Sequence, residues 1–163
     1  MKLSTKGRYG LRAAAELAVC HGQSAVPLRQ VASVVEVSEA YLEQLLATLR
    51  RAGLVESVRG AQGGYRLASA PEEITVGDVL RALEGSMAPA ECVAGPGASC
   101  ANMASCATRR VWEKMQNSLN QVMDSITLQD MLEDELRMRA QCGKAAGGCE
   151  CTTVHKKEEN SHG

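Results

Sequence analysis

"VSEAYLEQLLATLRRAGLVESVRGAQGGYRL", residues 37–67, carries two periodicities back to back. In its first half Leu42, Leu45, Leu46 and Leu49 recur at i, i+3, i+4, i+7, which puts four leucines on one face of a helix. Ser38 stands just before "EAYLEQLL", where a hydroxyl caps a helix N-terminus. Gly53 ends the helix. From there the period changes to two. Leu54–Val58 and Tyr65–Ala68 alternate apolar and polar around the turn-rich "RGAQGG", the pattern of a short β-hairpin.

Three more quartets surround this stretch. Leu11/Ala14/Ala15/Ala18 and Leu28/Val31/Ala32/Val35 precede it, and Val76/Val79/Leu80/Leu83 follows. Pro27 sits just ahead of the second helix, and Thr75 with Asp78 three residues on marks the start of the fourth. The tight turn "VVEVS" joins the second helix to the third. Helix, helix, helix, hairpin, helix is the order of a winged helix-turn-helix. The predicted class is mainly α: a winged helix-turn-helix domain with a small β-hairpin over residues 1–84, plus a long C-terminal dimerisation helix.

The chain of 163 residues has no Phe and one Trp, so its core has to be aliphatic. No apolar run reaches the roughly 18–20 residues of a membrane span. Arg12 and Glu16 interrupt the first apolar stretch and make it an amphipathic helix rather than a signal peptide, so a cytoplasmic location and no membrane partner are expected. Seven cysteines, an odd number, in a reducing compartment point to metal ligation or redox chemistry instead of a disulfide framework. Residues 1–66 hold nine Lys+Arg and five Asp+Glu, a balance of +4; the remainder has a balance of −5. A basic first half suits a polyanion.

After Leu83 the periodicity stops, and residues 85–107 form a Gly/Ala/Pro-rich loop holding Cys92, Cys100 and Cys106. It returns as Trp112, Met115, Leu119, Val122, Ile126, an a/d seam on a helix from about Thr108 to Ile126, roughly 28 Å long. Such a stripe, set off by a loop, is expected to face a second copy of the chain; the plainer alternative packs it on its own domain. Leu128–Met138 is a second helix, so residues 108–139 are assigned to dimerisation helices. Residues 140–163, polar and Gly-rich with further cysteines, are expected to be mostly disordered.

In a winged helix-turn-helix, the second helix of the pair offers its N-terminal residues to the major groove. Here that surface is Ser38, Tyr41, Glu43 and Gln44, types that suit phosphates, cytosine N4 and adenine. Arg50, with Arg51, can reach the backbone, and Arg59 on the Gly-rich wing can enter a minor groove. The expected partner is double-stranded DNA with a pseudo-palindromic operator. No Ser/His/Asp or Cys/His constellation and no phosphate-binding loop supports catalysis, so the chain is not expected to be an enzyme.

"LSTKGRYGLRA", the stretch quoted first, "ITVGDVLRALEG" and the three-cysteine loop closely resemble the IscR/NsrR-type regulators, over about residues 1–135 and nearest the IscR-like members. These are dimeric bacterial winged-helix regulators, many of which carry an iron–sulfur cluster. The resemblance implies DNA-contacting roles for Tyr41, Glu43, Gln44 and Arg59, with Glu43 at the acidic position that tunes operator class and Ala40 where the family often has Ser.

The loop cysteines are spaced x7 and x5 and lack the close pair of a zinc knuckle. Iron–sulfur sites accept wider spacing. The resemblance implies that Cys92, Cys100 and Cys106 are cluster ligands, with a [2Fe–2S] cluster favoured and [4Fe–4S] open. The fourth ligand is not settled. IscR-like proteins have His three residues after the third Cys, where this chain has Arg109, and NsrR-like proteins use an acidic residue near the start of the partner's first helix, where it has Arg8. A tail thiol (Cys142, Cys149 or Cys151), His155, an exogenous small ligand or none remain. The tail stretch "CECTTVH" is open as an auxiliary metal site, and Cys20 reads as core packing. Alternatives to a cluster-controlled regulator are a cluster-free thiol-redox or metabolite-responsive regulator of the same fold and a small iron–sulfur electron carrier or cluster-delivery protein.

Overall fold

The computed structural model describes residues 3–60, 63–95, 100 and 105–145, with the side chains of the last helix described as far as Met138. The elements run α1 (Thr5–Val19), α2 (Leu28–Val35), α3 (Glu39–Arg51), β1 (Val55–Val58), β2 (Gly64–Leu67), α4 (Val76–Glu84), α5 (Ala107–Ser125) and α6 (Leu128–Ala145), with 3-10 turns at Pro71–Glu73 and Glu91–Val93.

All four leucines of α3 lie in the core, none more than 3% exposed. The Ser38 hydroxyl accepts from the backbone N–H of Tyr41, and Arg50 and Arg51 occupy the last turn, where cations oppose the helix dipole. α2 buries Val31, Ala32 and Val35 and ends at Glu36, whose φ of 63° is the left-handed conformation. That reversal, with the Val37 N–H donating to the Ala32 carbonyl at 3.1 Å, turns the chain from α2 into α3.

α1 differs in phase from its expected face. Ala13, Ala14, Leu17 and Ala18 are buried, while Leu11 and Ala15 are half-buried. The helix also buries Gly7 and Gly10, because α4 crosses it there: a Cβ on Gly10 would strike Leu83. A single i, i+3, i+4, i+7 template misses a helix packed on several sides at once.

The wing pairs β1 with β2 antiparallel, Val55 opposite Leu67 and Glu56 opposite Arg66. Val55 and Leu67 face the core, and Arg66 pairs with Glu56 at 2.9 Å on the exposed side. Val26 and Tyr65 exchange backbone hydrogen bonds at 2.8 Å, so the segment before α2 is tied to the wing.

α4 opens on a capping box: the Thr75 side chain accepts from the Asp78 N–H while the Asp78 carboxylate accepts from the Thr75 N–H. α6 belongs to the same core. The Leu128 N–H donates to the Ile74 carbonyl and the Val76 N–H to the Ile126 carbonyl, and Leu128 is fully buried, with Met131 and Leu132 packed beside it. The segment expected among the dimerisation helices thus packs on α1 of its own chain. α6 also runs past Met138 to Ala145, into the stretch expected to be disordered. Arg, Ala, Gln and Lys there are good helix formers that continue a helix already nucleated by packing. Residues 146–163, including Cys149, Cys151 and His155, lie outside the described residues.

Candidate nucleic-acid interface and cysteine loop

The helix-turn-helix geometry follows from burial. With Leu42, Leu45, Leu46 and Leu49 turned inward, Glu39, Ala40, Glu43, Gln44 and Arg50 are left on the outside of α3. Ser38, at its head, is exposed although its hydroxyl is used as the cap. Tyr41 is half-buried; its ring meets Tyr9 of α1 edge-on at 6.3 Å. Arg50 reaches across to the wing, donating to the Ser57 hydroxyl at 3.0 Å. Arg51 donates to Thr48, which in turn donates to the Gln44 carbonyl. Arg59 follows β1 directly and is exposed, ahead of Gly60 with φ 116°.

An open cleft of about 720 Å³ runs beside α3, lined by Lys6, Tyr41, Gln44, Thr48 and Arg51 among others. Sequence reading overlooked Lys6 and Thr48. Only the packing of α1's first turn against α3 brings Lys6 there, and no local pattern announces that. The start of α1 is itself held from far along the chain. Glu84, the last residue of α4, accepts from the Ser4 N–H at 3.1 Å, the Ser4 hydroxyl at 2.6 Å and the Gly7 N–H at 2.9 Å.

The cysteine loop begins at the next residue, Gly85. Met87 anchors it in a small cluster with Leu80 and Met123. Cys92 sits half-buried in the 3-10 turn, Cys100 is exposed, and Cys106 is the N-cap residue of α5. Cys106 Sγ lies 3.1 Å from the Thr108 hydroxyl. The bond to the Thr108 side chain, then the backbone N–H of Arg109, hold this thiol below its ordinary range. Cys20, by contrast, is pushed up by burial and then by Glu16, as suits a packing residue.

Arg109 lies beside this loop: it shares a cavity wall with Cys92, and its backbone N–H faces Cys106. Cys92, Cys100 and Cys106 offer thiolates, the donor type of an iron–sulfur ligand set. Among the described residues, no three ligating side chains converge closely enough to hold a single metal ion. α5 rests on α4 through Met123, Leu119 and the Arg81–Asp124 ion pair. Its seam is otherwise open: Met115 is 49% exposed and Val122 56%.

A helix-turn-helix with a two-stranded wing, a basic rim and an exposed recognition helix defines a DNA-binding transcriptional regulator of the winged-helix class. The comparisons narrow this. The Rrf2 family, described as "Iron-dependent Transcriptional regulator", matches residues 3–134, and the chain belongs to that family. It is 45% identical over 131 residues to the transcriptional regulator CymR of Bacillus subtilis, covering 80% of this chain and 89% of that one. The solved structure titled as CymR, the global cysteine regulator of B. subtilis, superposes with a TM-score of 0.69 over 80% of this chain and 95% of that one, at 44% identity. The solved T. potens IscR superposes with a TM-score of 0.68, 46% identity and coverage of 91% and 94%. No helix of the described residues is long and apolar enough to cross a membrane.

Proposed function

We propose that the chain acts in the cytoplasm as a homodimer that reads a pseudo-palindromic operator and changes its grip with the state of its cysteine loop. Ser38, Tyr41, Glu43 and Gln44 are assigned to the major groove, Arg50 to the DNA backbone and Arg59 to the minor groove beside the wing. The half-sites then lie whole helical turns apart. The unpaired apolar stripe of α5 supports the second copy.

Cys92, Cys100 and Cys106 are assigned as the protein ligands of an iron–sulfur cluster, [2Fe–2S] before [4Fe–4S]. When bound, the cluster supplies a removable tie between the three thiolates. The chain's own residues carry the rest. The observation on which this reading stands is Glu84: the carboxylate that closes α4, one residue before the loop, holds the N-terminus of α1, and Lys6 of that turn borders the recognition helix. A shift in the loop is therefore felt at the DNA face. A coupling of roughly 1–3 kcal/mol corresponds to a several-fold to hundredfold change in affinity.

Gel shift with the DNA upstream of the chain's own reading frame tests the assignment. Arg59→Ala is expected to weaken binding and Glu43→Ala to change which operators are accepted. Cys92→Ala is expected to lose the visible charge-transfer absorbance of anaerobically isolated protein. Unchanged binding in the first two variants, or colour surviving in the third, defeats the respective assignment.

The position of Cys106 at the N-cap of α5, its Sγ 3.1 Å from the Thr108 hydroxyl, favours a second reading, a cluster-free thiol-redox regulator of the same fold. In that case operator affinity follows peroxide and reductant and is indifferent to iron.

A further inference from the structure

A cavity of about 330 Å³ lies between the 3-10 turn of the cysteine loop and the first half of α5, lined by Cys92, Gly95, Arg109, Glu113, Gln116 and Asn117. The α5 residues fall at i, i+4, i+7 and i+8, so the helix presents a polar stripe here beside its apolar seam. The volume is at the small end of ligand cavities.

Two polar atoms of residues that line it are sheltered from solvent and unpaired: Nη1 of Arg109 and Oε1 of Gln116. Each has its neighbouring atom committed. Arg109 Nε donates to Glu113 Oε1 at 2.7 Å, and Gln116 Nε2 donates to Asn120 Oδ1 at 2.9 Å. Sheltered polar groups are seldom left without partners in native proteins. These two need opposite things: the guanidinium an anion, the amide oxygen a donor.

We propose that this cavity binds a small zwitterion of the amino-acid type. Its carboxylate lies on Arg109, its ammonium on Gln116 Oε1, and the carboxylate of Glu113 balances the added positive charge. The ligand touches the turn that carries Cys92 and the helix that carries the open apolar seam, so it is placed to act as an effector of the same loop. It needs no metal and can stand or fall separately from the cluster assignment.

Trp112, the chain's only tryptophan, lies on α5 between Arg109 and Gln116 in sequence and serves as the fluorescent probe. The experiment titrates metal-stripped, reduced full-length protein with each standard L-amino acid in turn, followed by Trp112 fluorescence and confirmed by equilibrium dialysis. At least one is expected to bind saturably. The matching decarboxylated amine is expected not to bind, and Arg109→Gln to weaken binding by about tenfold or more, with Arg109→Lys in between. Circular dichroism establishes that both variants fold. The proposal is overturned if no amino acid binds, if the amine binds as tightly as its parent, or if Arg109→Gln binds unchanged. Metal-free protein that binds an amino acid but never responds to iron would sustain this inference while removing the cluster assignment.

Discussion

α3 and α5 are both amphipathic, yet they stand in opposite relation to their own chain. α3 puts four leucines into the core within 13 residues, none more than 3% exposed. α5 spans 19 residues and buries only Met123. One helix is held rigid by its own domain, as a reading head must be. The other is supported at one end by α4 and leaves Val111, Met115 and Val122 about half exposed. Apolar periodicity reports that a face will be covered; it does not say by what.

The largest expected contrast is in stability. Leu46→Ala in α3, at a site with no exposure, should cost about 2–5 kcal/mol in urea unfolding. Val122→Ala in α5 should cost under about 0.5 kcal/mol in the dissociated chain. Equal losses would erase the distinction between the helices.

Next comes assembly. Val122→Asp should move the sedimentation profile from dimer to monomer with the far-ultraviolet spectrum unchanged. A dimer that survives the charge means that this stripe is not the interface.

Smaller effects sharpen the link between the two regions. Glu84→Ala strips the Ser4 and Gly7 donors of their acceptor and should destabilise by about 1–2 kcal/mol, since the site is only half-buried. More tellingly, it should reduce the response of DNA binding to the loop without abolishing DNA binding itself.

Last is Thr75→Ala, which removes the α4 cap at about 1 kcal/mol. The acid limb of stability reports the same cap. Burial would raise the Asp78 carboxyl, but the bonds from Thr75 and the charge of Arg81 outweigh it and hold it below the ordinary carboxylate range. The backbone and side-chain bonds of Thr127 do the same for Asp130. A carboxylate lowered by folding contributes fully above its unfolded value near 3.9 and loses that contribution as pH falls through the folded value. Stability should therefore hold from neutral pH to about 5 and decline below about 4. Asp78→Asn should make that decline shallower; an unaltered acid limb would assign it to other groups.

The recognition unit was legible from sequence because its signals are local. Leu42–Leu49, the Ser38 and Thr75 caps and the alternation either side of "RGAQGG" each lie within a few residues, and all reappear in the structure. What escaped was long-range. The tie of Glu84 to Ser4 spans 80 residues. Leu128 joins the core of the first domain through a two-residue bridge at Thr75 and Thr127 that no periodicity marks. Arg109 could be read as a residue unable to ligate a metal. That it stands on a cavity wall with Gln116 depends on where the loop folds back over α5.

The most direct test of the central claim measures operator affinity of one anaerobic preparation before and after removal of iron, by fluorescence anisotropy, alongside Cys92→Ala. Wild-type Kd is expected to move by about tenfold or more, and that of Cys92→Ala to stay where it is. A wild-type protein that carries iron and sulfide yet binds its operator equally well with and without them would contradict it.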